Sequence, residues 1–547
     1  MKENFTELPN IYIIFRMRIA LAQMNPVLGD LDGNVQKMLL WTQRAADKSC
    51  QLIVFPELSI LGYSPNDLLE RPEVIEAHNK ALKTFFKNKP KNIEAIVGGL
   101  LEVKGAPSLA NAAFASNLQK RPVLKTLLPT YDIFDEGRFF KAGDIQEHLI
   151  QLHKKKILVL VCEDMWAWER NPDENPLKKI KKNKVDVVIS INASPFSLQK
   201  QKRRLSVAKQ TAKYFSAPVV YVNMVGAQDE LIFDGSSFVV DKAGQLLAQS
   251  AFCSEDLNIV DLEKADGGVR LGAQSTVEQL HSVLSLGIRD FVSKNGFSKI
   301  HLGSSGGIDS AVVTALACDA VGPQNVTTIA LPGPYSDEKS ARLAEELAKN
   351  LGCHFLNMPI QNIYERTIND YEKTFGTMTF GLVHENLQAR LRGNVLMMFS
   401  NAQQSLLLAT GNKSEYATGY STLYGDMCGG LAPIGDLLKR QVYELARFYN
   451  RERELIPKEI IERAPSAELR PNQKDQDTLP SYDLLDSAVN KLVTEVKAAK
   501  NPTEKWLLKR LAASEFKRWQ APPVLRVSER AFGRGRRYPI TNGFYKK

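Results

Sequence analysis

Over residues 18–262, short apolar runs alternate with longer segments in which apolar residues recur at helical spacing. The runs are rich in Val, Ile and Leu, a composition typical of buried strands. They read RIALAQM, QLIVFPE, IEAIVGGL, KKILVLVCED, VDVVISIN, APVVYVNMV and GSSFVVD. Strands separated by helices predict an α/β domain over this half of the chain.

The same alternation continues beyond residue 275. The run KIHLG leads into a glycine-rich loop and an apolar helix, and NVTTIALPGP and CHFLNMPI follow as further strands. Between these two, SDEKSARLAEELAKNLG has the spacing of an amphipathic helix that ends at Gly352. Three strands joined by two helices predict a parallel sheet of the βαβ type.

Polar and glycine-rich residues at 263–274 separate the two halves and carry no clear element. A helix is predicted to begin near Ser275, because Glu278 stands three residues later, as in a capping box. The first strand starts at Met17, so the preceding residues are either a floppy arm or sequence upstream of the true start. The predicted divisions are an N-terminal extension (1–16), a first domain (17–262), a linker (263–275) and a second domain with a basic tail (276–547).

The length of 547 residues suits two to four domains, and the 44% hydrophobic content suits ordinary folded cores. No run of about 18 apolar residues occurs, which argues against a membrane span. The six cysteines lack CxxC spacing and the seven histidines are dispersed, so neither a zinc site nor a disulfide framework is indicated. Free thiols are typical of a reducing compartment, so we predict a cytoplasmic protein.

The net charge of +10 is uneven, because residues 514–547 hold nine Lys and Arg against two Asp and Glu. Such a segment fits either a nucleic-acid patch or a site that attracts a phosphate-rich small substrate. Few aromatic residues are interleaved with the charges, which favours the small substrate. We therefore expect small-molecule partners, with neither nucleic acid nor a membrane among them.

The loop GSSGGIDS, residues 303–310, joins the KIHL strand to the following helix. Gly303, Gly306 and Gly307 allow the backbone to turn tightly and to approach a ligand closely. Asp309 and Ser310 fall in the first helical turn, where free N–H groups favour an anion. The pattern indicates a phosphate cradle or, alternatively, a strand-to-helix turn without a ligand. It is not a Walker A loop, since no Gly-Lys-Ser/Thr follows.

Three polar side chains of the first half stand beside apolar runs. Glu57 follows QLIVFP, Lys125 lies among the apolar residues of PVLKTLL, and Cys162 follows ILVLV. Singly, each has a structural alternative: a helix cap, a lysine extended to solvent and a buried thiol. Together they supply the base, the cation and the nucleophile that thiol catalysis needs.

In this order the three residues resemble the Glu-Lys-Cys triad of the nitrilase (carbon–nitrogen hydrolase) superfamily, over residues 17–262. The resemblance implies an α-β-β-α sandwich in which Cys162 attacks a carboxamide carbon, Glu57 moves the proton and Lys125 stabilises the tetrahedral intermediate. Glu136, in DEGRFF, matches the second glutamate that this superfamily often places beside the triad. An acyl-enzyme and free ammonia are the implied products.

Glutamine-using members of that superfamily carry a Ser-Pro-Phe stretch like the one within NASPFSLQKQKRR. The resemblance implies Tyr131, Ser194 and Lys200 as glutamine-binding residues. The alternative for residues 200–204 is a solvated basic helix face, and for residues 202–204 we prefer that alternative.

The loop SGGIDS resembles that of ATP pyrophosphatases, which split ATP between its α and β phosphates. The segments ENLQARLR, TGNKSEYATGYSTLYGDMCGG, LLKRQ, RAPSAELRPNQKDQD and SEFKRWQAPP resemble the synthetase domain of NAD synthetases, over residues 280–522. This implies a Rossmann-like second domain with a parallel sheet. The two halves together resemble the two-domain, glutamine-dependent members of that family.

The resemblance implies roles at matching positions, among them Asp309 and Glu415 as ligands of Mg²⁺. Leu423 and Phe516 depart from the shorter, ammonia-using enzymes, which have lysine and histidine there. Arg392, in the ENLQARLR helix, fits either a site or a surface ion pair. The implied ATP-contacting residues are Gly303, Ser304, Ser305, Gly306, Gly307, Ile308, Asp309, Ser310, Thr410, Lys439 and Ser466. Those implied to hold the dinucleotide substrate are Asn386, Arg390, Glu415, Asp426 and Lys517.

The implied activity is a ligase reaction with ATP as co-substrate and Mg²⁺ as cofactor, in a homo-oligomer. The carboxylate of nicotinic acid adenine dinucleotide (deamido-NAD) attacks the α-phosphorus of ATP, and ammonia from glutamine converts the acyl-adenylate to NAD and AMP. Two alternatives stay open: an amidase fused to a different ATP pyrophosphatase, and a nucleotide-binding sensor. The former would lack the TGNKSE segment, and the latter would not need the Glu-Lys-Cys triad.

Overall fold

The computed structural model of the chain describes residues 17–116, 121–170, 172–263, 275–471 and 473–545. The predicted extension and nearly all of the predicted linker lie outside the described residues, so the division of the chain into domains stays a prediction. None of the described helices is long and apolar enough to cross a membrane.

Residues 17–263 form two mixed sheets with helices on their outer faces. The strands are β1 (Arg18–Gln23), β2 (Leu52–Val54), β3 (Glu94–Glu102), β4 (Leu109–Ala115), β5 (Val123–Leu124), β6 (Leu149–Leu152), β7 (Lys155–Val161), β8 (Val187–Asn192), β9 (Val219–Asn223), β10 (Val225–Gln228), β11 (Leu231–Asp234), β12 (Phe238–Val240), β13 (Leu246–Gln249) and β14 (Asp256–Asp261). The helices are α1 (Leu31–Asp47), α2 (Pro72–Asn88), α3 (Glu136–Phe139) and α4 (Lys200–Phe215).

The first sheet has the strand order β14-β1-β2-β3-β4-β5, and the second has the order β13-β12-β9-β8-β7-β6. The central strands of each sheet pair in parallel, and the outer strands pair antiparallel. The inner faces meet in one apolar core that includes Ile19, Val54, Val159 and Ile189. Helices α1 and α2 cover the outer face of the first sheet, and α4 covers that of the second. The α-β-β-α sandwich is confirmed.

The seven runs predicted as strands correspond to β1, β2, β3, β7, β8, β9 and β12. The pattern misses β4, whose sequence LANAAFA is rich in alanine and buried on both faces. Alanine favours helices over strands, so propensity gives no strand signal there. The short strands β5, β6 and β13, the hairpin β10-β11 and strand β14 are missed as well.

Residues 275–545 form a four-stranded parallel sheet in the order β17-β16-β15-β18, packed among helices. The strands are β15 (Ile300–Gly303), β16 (Val326–Ala330), β17 (His354–Asn357) and β18 (Leu406–Leu407). The helices are α5 (Thr276–Lys294), α6 (Ile308–Val321), α7 (Glu338–Leu351), α8 (Gln361–Phe375), α9 (Leu382–Gln403), α10 (Lys413–Thr418), α11 (Lys439–Tyr449), α12 (Lys458–Glu462), α13 (Tyr482–Val489), α14 (Pro502–Ala513) and α15 (Glu515–Arg518). The predicted order β15-α6-β16-α7-β17 is confirmed, as is the capping box at the start of α5.

The two halves contact each other where α5 packs against the hairpin β10-β11. The Asp290 carboxylate accepts hydrogen bonds from the Ala227 N–H at 2.7 Å and from the Asn25 amide at 2.8 Å. Lys294 Nζ donates to the Ala227 carbonyl oxygen at 2.8 Å. These bonds hold the first helix of the second half against the loops at the strand ends of the first.

Candidate active sites

The three residues predicted as a triad stand at strand ends of the first half. Glu57 lies three residues beyond β2, Lys125 directly follows β5, and Cys162 directly follows β7. Cys162 has a φ of 45°, a left-handed conformation that non-glycine residues seldom adopt and that is enriched at functional sites. The structure brings the side chains together, because Lys125 contacts Glu57 and lines the same cavity as Cys162.

Lys125 is the centre of this site. Its Nζ lies 2.7 Å from Glu57 Oε1 and 2.8 Å from Glu136 Oε1. We call Lys125, Glu57 and Glu136 the first trio. Their side chains are 1%, 0% and 5% exposed, respectively. The Tyr63 hydroxyl donates a further hydrogen bond to Glu136 Oε1 at 2.9 Å. The second glutamate is therefore part of the site.

Further hydrogen bonds fix the orientation of the Glu57 carboxylate. The Asn111 amide donates to Oε1 at 2.7 Å, and the Ala193 N–H donates to Oε2 at 2.9 Å. The sequence pattern did not single out Asn111, because it lies in the missed strand β4. The only available signal was one amide in an otherwise apolar run, LANAAFA.

Burial raises the pKa of the Cys162 thiol well above its usual range; Glu57 adds to the rise and Lys125 opposes it. Burial alone would lower the pKa of Lys125, but the Glu136 and Glu57 carboxylates outweigh it and raise that pKa. Burial raises the pKa of Glu136 to about 7, with Lys125 opposing and Glu57 adding. The resting site thus holds a protonated thiol near a charged lysine, and a thiolate forms only if a neighbouring base takes the proton.

Cys162 and Lys125 line a cavity of about 650 Å³. Tyr131, Ser194 and Lys200, the residues predicted to bind glutamine, line the same cavity. The structure therefore brings all three into one space with the thiol.

Two cavity residues that the sequence pattern did not single out contact the predicted ones. The Tyr131 hydroxyl donates to Glu163 Oε2 at 3.1 Å. Lys200 Nζ lies 4.2 Å from the centre of the Trp166 ring, and burial lowers the pKa of this lysine. Both Glu163 and Trp166 fall within four residues of Cys162, so their position in CEDMW was the available signal.

The expected solvated basic face is correct for Lys202 and Arg203, which are exposed on α4. It is wrong for Arg204, which is fully buried with its Nη1 2.8 Å from both carboxylate oxygens of Asp234. Its Nη2 donates to the Ser194 carbonyl oxygen at 2.7 Å. A carboxylate on β11 thus neutralises the arginine, which supports the loop that carries Ser194.

Part of the cavity lining comes from the second half of the chain. Residues of the basic C-terminal tail line the same cavity as the thiol, among them Arg526, Arg536, Arg537 and Tyr538. The tail was predicted only as a segment that attracts a charged small substrate. Its position beside the cysteine site is a finding that composition did not reveal.

A second lysine between two carboxylates lies at the glycine loop. Lys439 Nζ is 2.5 Å from Asp309 Oδ2 and 3.7 Å from Glu415 Oε1. The lysine side chain is 2% exposed, whereas the two carboxylates are 18% and 19% exposed. The Asn412 amide donates to Asp309 Oδ1 at 2.8 Å. We call Asp309, Glu415 and Lys439 the second trio.

Three helix starts converge to form this trio. Asp309 lies in the first turn of α6, and Lys439 is the first residue of α11. Glu415 lies in α10, where it forms a capping box with Asn412. Because helix N-termini carry partial positive charge, they favour the carboxylates here and would favour phosphate oxygens as well.

The electrostatics of the second trio follow the same pattern as those of the first. Burial raises the pKa of Glu415 to about 8; Asp309 adds to the rise and Lys439 opposes it. Burial alone would lower the pKa of Lys439, but Asp309 and Glu415 outweigh it and raise that pKa. The Glu415 carboxyl is therefore protonated at neutral pH, and Lys439 is paired with the Asp309 carboxylate.

The glycine loop has the backbone of a ligand cradle. Gly306 has a φ of 68°, and a Cβ there would lie 2.4 Å from the Ser340 carbonyl oxygen, so that only glycine fits. Ser305 Oγ accepts from the Gly307 N–H at 3.3 Å. Ile308 is buried in the core, which leaves only its backbone for the predicted contact with ATP.

Thr410 and Ser466, also predicted to contact ATP, are half-buried. Ser466 Oγ accepts from the Glu468 N–H at 3.1 Å, and the Glu468 carboxylate accepts from Ser340 Oγ at 2.7 Å. Since Ser340 packs against Gly306, the segment around Ser466 is tied to the glycine loop.

Two of the residues predicted to hold the dinucleotide lie on α9 and contact the loop of residues 419–426. Asn386 Oδ1 accepts from the Thr422 hydroxyl at 2.9 Å. Arg390 Nε donates to the Leu423 carbonyl oxygen at 3.2 Å. Leu423 thus contributes its backbone to the site.

Asp426 and Lys517 contact the same loop. Asp426 Oδ1 accepts from the Thr422 N–H at 2.6 Å, and burial raises the pKa of this carboxyl to about 6 while that N–H opposes the rise. Lys517 Nζ donates to the carbonyl oxygens of Gly419 and Ser421 at 2.8 and 2.6 Å. The structure therefore gathers four of the five predicted residues at this loop, of which Asp426 is a member, and places the fifth, Glu415, in the second trio.

Arg392 is not a surface ion-pair partner. Its Nε donates to the Leu331 carbonyl oxygen at 2.9 Å, and its Nη2 donates to the Ser336 hydroxyl at 3.3 Å. Burial lowers its pKa to about 10. The arginine instead fixes the loop that follows β16.

Asp475 and Tyr482 lie beside the second trio, although the sequence pattern did not single them out. The Tyr482 hydroxyl donates to Asp475 Oδ2 at 2.7 Å, and the Tyr482 ring centre is 5.2 Å from Lys439 Nζ. The acidic residues of NQKDQD were the only signal available for Asp475.

Two family models match the chain. One, described as carbon-nitrogen hydrolase, matches residues 18–268, and the other, described as NAD synthase, matches residues 280–521. The two matches contain the first and second trios respectively.

Relatives with both halves are similar to almost the whole chain. A glutamine-dependent NAD(+) synthetase from Synechocystis sp. is 41% identical, over 96% of this chain and 99% of that protein. One of the same name from Aquifex aeolicus is 36% identical, over 97% and 100%. Among solved structures, glutamine-dependent NAD+ synthetase from Acinetobacter baumannii in complex with ADP is 34% identical, with a TM-score of 0.76 over 97% of this chain and 99% of that one.

Proposed function

The chain belongs to the family of glutamine-dependent NAD(+) synthetases, and we propose that its two trios divide one reaction between them. It is a ligase that makes NAD with glutamine as the amido donor and ATP as a substrate. The first trio serves a glutaminase site that releases ammonia, and the second serves a site that activates deamido-NAD. The proposed boundary between the two domains is the segment 263–275.

At the first site, Cys162 Sγ attacks the carboxamide carbon of glutamine while its proton passes to Glu57. The C–N bond breaks and ammonia leaves with that proton, so that a thioester remains, which water hydrolyses to glutamate. Lys125, held charged between two carboxylates, stabilises the oxyanion. The observation that carries this proposal is the 2.7 Å contact between Lys125 Nζ and Glu57 Oε1 at the cavity that Cys162 lines.

The glutamine molecule itself is held by Tyr131, Ser194 and Lys200 in this proposal. All three line the cavity beside Cys162. A lysine ammonium suits the α-carboxylate of an amino acid, and a hydroxyl suits either its carboxylate or its amino group.

At the second site, a carboxylate oxygen of deamido-NAD attacks the α-phosphorus of ATP, and the bond to pyrophosphate breaks. Ammonia then attacks the acyl carbon, the C–O bond to AMP breaks, and NAD is formed with release of a proton. The N–H groups of residues 303–310 and the Lys439 ammonium bind the phosphate oxygens. Thr410 and Ser466 complete the ATP site.

Asp309 and Glu415 fit a magnesium ion. Mg²⁺ prefers one or two carboxylates together with phosphate oxygens, and both carboxylates here reach the same lysine. Within the described part of the chain, no group of three or more His, Cys, Asp or Glu is placed to hold a metal, so phosphate oxygens and water would supply the other ligands. When bound, the ion supplies positive charge that offsets the charge of the departing pyrophosphate.

Asn386, Arg390, Asp426 and Lys517 hold deamido-NAD in this proposal. Three of them contact the loop of residues 419–426 and Asp426 belongs to it, so this loop forms one side of the substrate site in the proposal. Glu415 lies shortly before this loop in the chain, which supports a position for the dinucleotide carboxylate beside ATP.

We also propose a homo-oligomer. Large apolar side chains stay exposed on α8 and α9, among them Phe375, Leu382 and Met398, which are 72%, 73% and 62% exposed. A second copy of the chain would cover them, since single folded chains seldom leave such surfaces in water. Light scattering should report a dimer or larger assembly for the wild type and a monomer for Leu382→Asp. The six free cysteines support a cytoplasmic location.

The proposed reaction predicts a defined set of products. Purified protein supplied with deamido-NAD, ATP, Mg²⁺ and glutamine should form NAD, AMP, pyrophosphate and glutamate, which mass spectrometry can quantify together. Ammonium should replace glutamine, and excess chelator should stop NAD formation from either nitrogen source. Formation of ADP and phosphate in place of AMP and pyrophosphate would contradict the proposal.

A further inference from the structure

The cavity of the glutaminase site is completed by the domain that performs the other half of the reaction. Among the described residues that line this cavity, Cys162, Ser194 and Lys200 belong to the first half, and Arg526 belongs to the C-terminal tail. The first half alone would therefore lack part of the cavity lining.

The tail segment 526–529 is hydrogen-bonded to both halves. On the glutaminase side, the Arg526 N–H donates to the Glu230 carbonyl oxygen, and the Leu198 N–H donates to the Val527 carbonyl oxygen, both at 3.0 Å. On the synthetase side, the N–H groups of Val527 and Ser528 donate to Asp436 Oδ2 at 2.8 and 2.7 Å. The segment is therefore held rigidly between the domains.

On the synthetase side, Asp436 is itself held by α10, the helix that carries Glu415. We call Asp436 and its partner Lys413 the anchor of the tail segment. Asp436 Oδ1 lies 2.7 Å from Lys413 Nζ, and both side chains are buried. Lys413 is the first residue of α10 and also donates to the Arg530 carbonyl oxygen at 2.8 Å. A buried, fully paired anchor of this kind keeps the tail in one conformation.

From this anchored segment, the Arg526 side chain reaches the loop that carries Tyr131. The buried Arg526 guanidinium forms an ion pair with the Asp132 carboxylate, which stands next to Tyr131 in the chain. Asp132 has a φ of 55°, a strained conformation for a residue other than glycine, so the loop needs outside support to keep it. A Cβ at Gly535 would lie 2.5 Å from both Arg526 Nη1 and Asp132 Oδ1, so glycine there leaves room for the pair.

We propose that Arg526 is a positioning residue of the glutaminase site: through Asp132 it fixes the loop that presents Tyr131 to the bound amino acid. The synthetase domain thereby pre-organises glutamine binding in the other domain. This inference rests on the proposed function, in which Tyr131 contacts glutamine. Positioning of this kind affects how well glutamine binds more than how fast bound glutamine reacts at Cys162.

The test is steady-state kinetics with glutamine and with ammonium, on the full chain. Arg526→Ala should raise the KM for glutamine about tenfold, with kcat nearly unchanged, and should leave ammonium-driven synthesis at the wild-type rate. Asp132→Asn should raise the KM in the same direction, and the double variant should be no worse than Arg526→Ala alone. Arg526→Lys should recover part of the affinity, because it keeps the charge.

A matched control is Arg534→Ala, which removes an exposed arginine of the same tail paired with Asp229, outside the cavity lining. Its KM for glutamine should stay at the wild-type value. An unchanged KM in Arg526→Ala, or an equal loss of ammonium-driven synthesis, would overturn the inference. If Arg526→Ala fails to fold, Asp132→Asn decides by the same criteria. Loss of glutamine use in Cys162→Ala, measured alongside, separates failure of this inference from failure of the proposed function.

Discussion

Each half of this molecule buries a lysine between two carboxyl groups, but the two trios differ in geometry and in exposure to solvent. Lys125 contacts Glu57 and Glu136 at nearly equal distances of 2.7 and 2.8 Å. Lys439 lies 2.5 Å from Asp309 but 3.7 Å from Glu415. The carboxylates of the second trio are also the more exposed ones. The first trio is buried and nearly symmetric, and we call it the closed trio. The second trio is more exposed and asymmetric, and we call it the open trio.

The difference matches what each site binds in the proposed reaction. Glutamine is hydrolysed by the protein's own groups there, so the proposed glutaminase site needs its charges in place before the substrate arrives. ATP arrives with a metal ion, and carboxylates that are partly exposed can bind that ion together with phosphate oxygens. The comparison teaches that a buried trio suits a site that supplies all of its own charges, and that a more exposed trio suits a site that its ligand completes.

Asp309→Asn should have the largest effect of the variants that probe this comparison. It removes one of the two carboxylates of the open trio, so NAD formation should fall at least about 10³-fold with either nitrogen source. Asp319→Asn, on the opposite end of α6, is the control and should stay near the wild-type rate. Coupled assays with glutamine and with ammonium provide the measurement. Retention of ammonium-driven synthesis in Asp309→Asn would refute its place in the ATP site.

Lys125→Met should affect only one route. Without the cation of the closed trio, hydrolysis of glutamine should fall about 10²- to 10³-fold, because the oxyanion loses its stabilising charge. Ammonium-driven synthesis should be unchanged, since the open trio is intact. Lys37→Met removes a lysine from the exposed pair with Glu255 and serves as the control. Equal losses on both routes would indicate that the trios are not independent.

Glu136→Gln should have a smaller effect, about a tenfold loss of glutaminase rate, because Glu136 holds Lys125 rather than reacting. Stability provides a second readout. Burial raises the pKa of Glu136 to about 7, above the value near 4.3 of an unfolded chain. Its stabilising contribution is complete below pH ~4.3 and is lost as pH rises to about 7.

Thermal unfolding between pH 5 and 8 should therefore show a steeper decline for the wild type than for Glu136→Gln, since the glutamine does not titrate. Parallel profiles for the two proteins would argue against a carboxyl that titrates in this range. The same measurement on Glu136→Asp, which keeps a titrating group, should preserve the wild-type slope.

Much of the fold could be predicted from the sequence, because local pattern and tertiary contacts agree there. The strands ahead of Glu57 and Cys162 are continuous apolar runs between two packed layers, so their ends were evident. Strand β4 was missed, because its buried alanines allow close packing but have a low propensity for strands. Asn111, which orients Glu57, was hidden for the same reason.

Contacts between residues far apart in the chain could not be predicted from the sequence pattern. Arg204 looked like part of a solvated helix, and only the fold brings Asp234 of β11 against it. Likewise, the charge of the C-terminal tail was evident, but its pairing with Asp132 depends on how two domains pack. The sequence therefore shows which side chains are charged, but the ion-pair partner of each depends on the tertiary structure.

The most direct test of the division of labour is the choice of nitrogen source by Cys162→Ala. Because the proposed glutaminase site loses its nucleophile, glutamine-driven NAD formation should fall at least about 10³-fold, while ammonium-driven formation stays within about twofold of wild type. Cys50→Ala, which alters a buried thiol outside the cavity lining, should change neither rate. Loss of both routes in Cys162→Ala, or retention of the glutamine route, would contradict two sites that share one reaction.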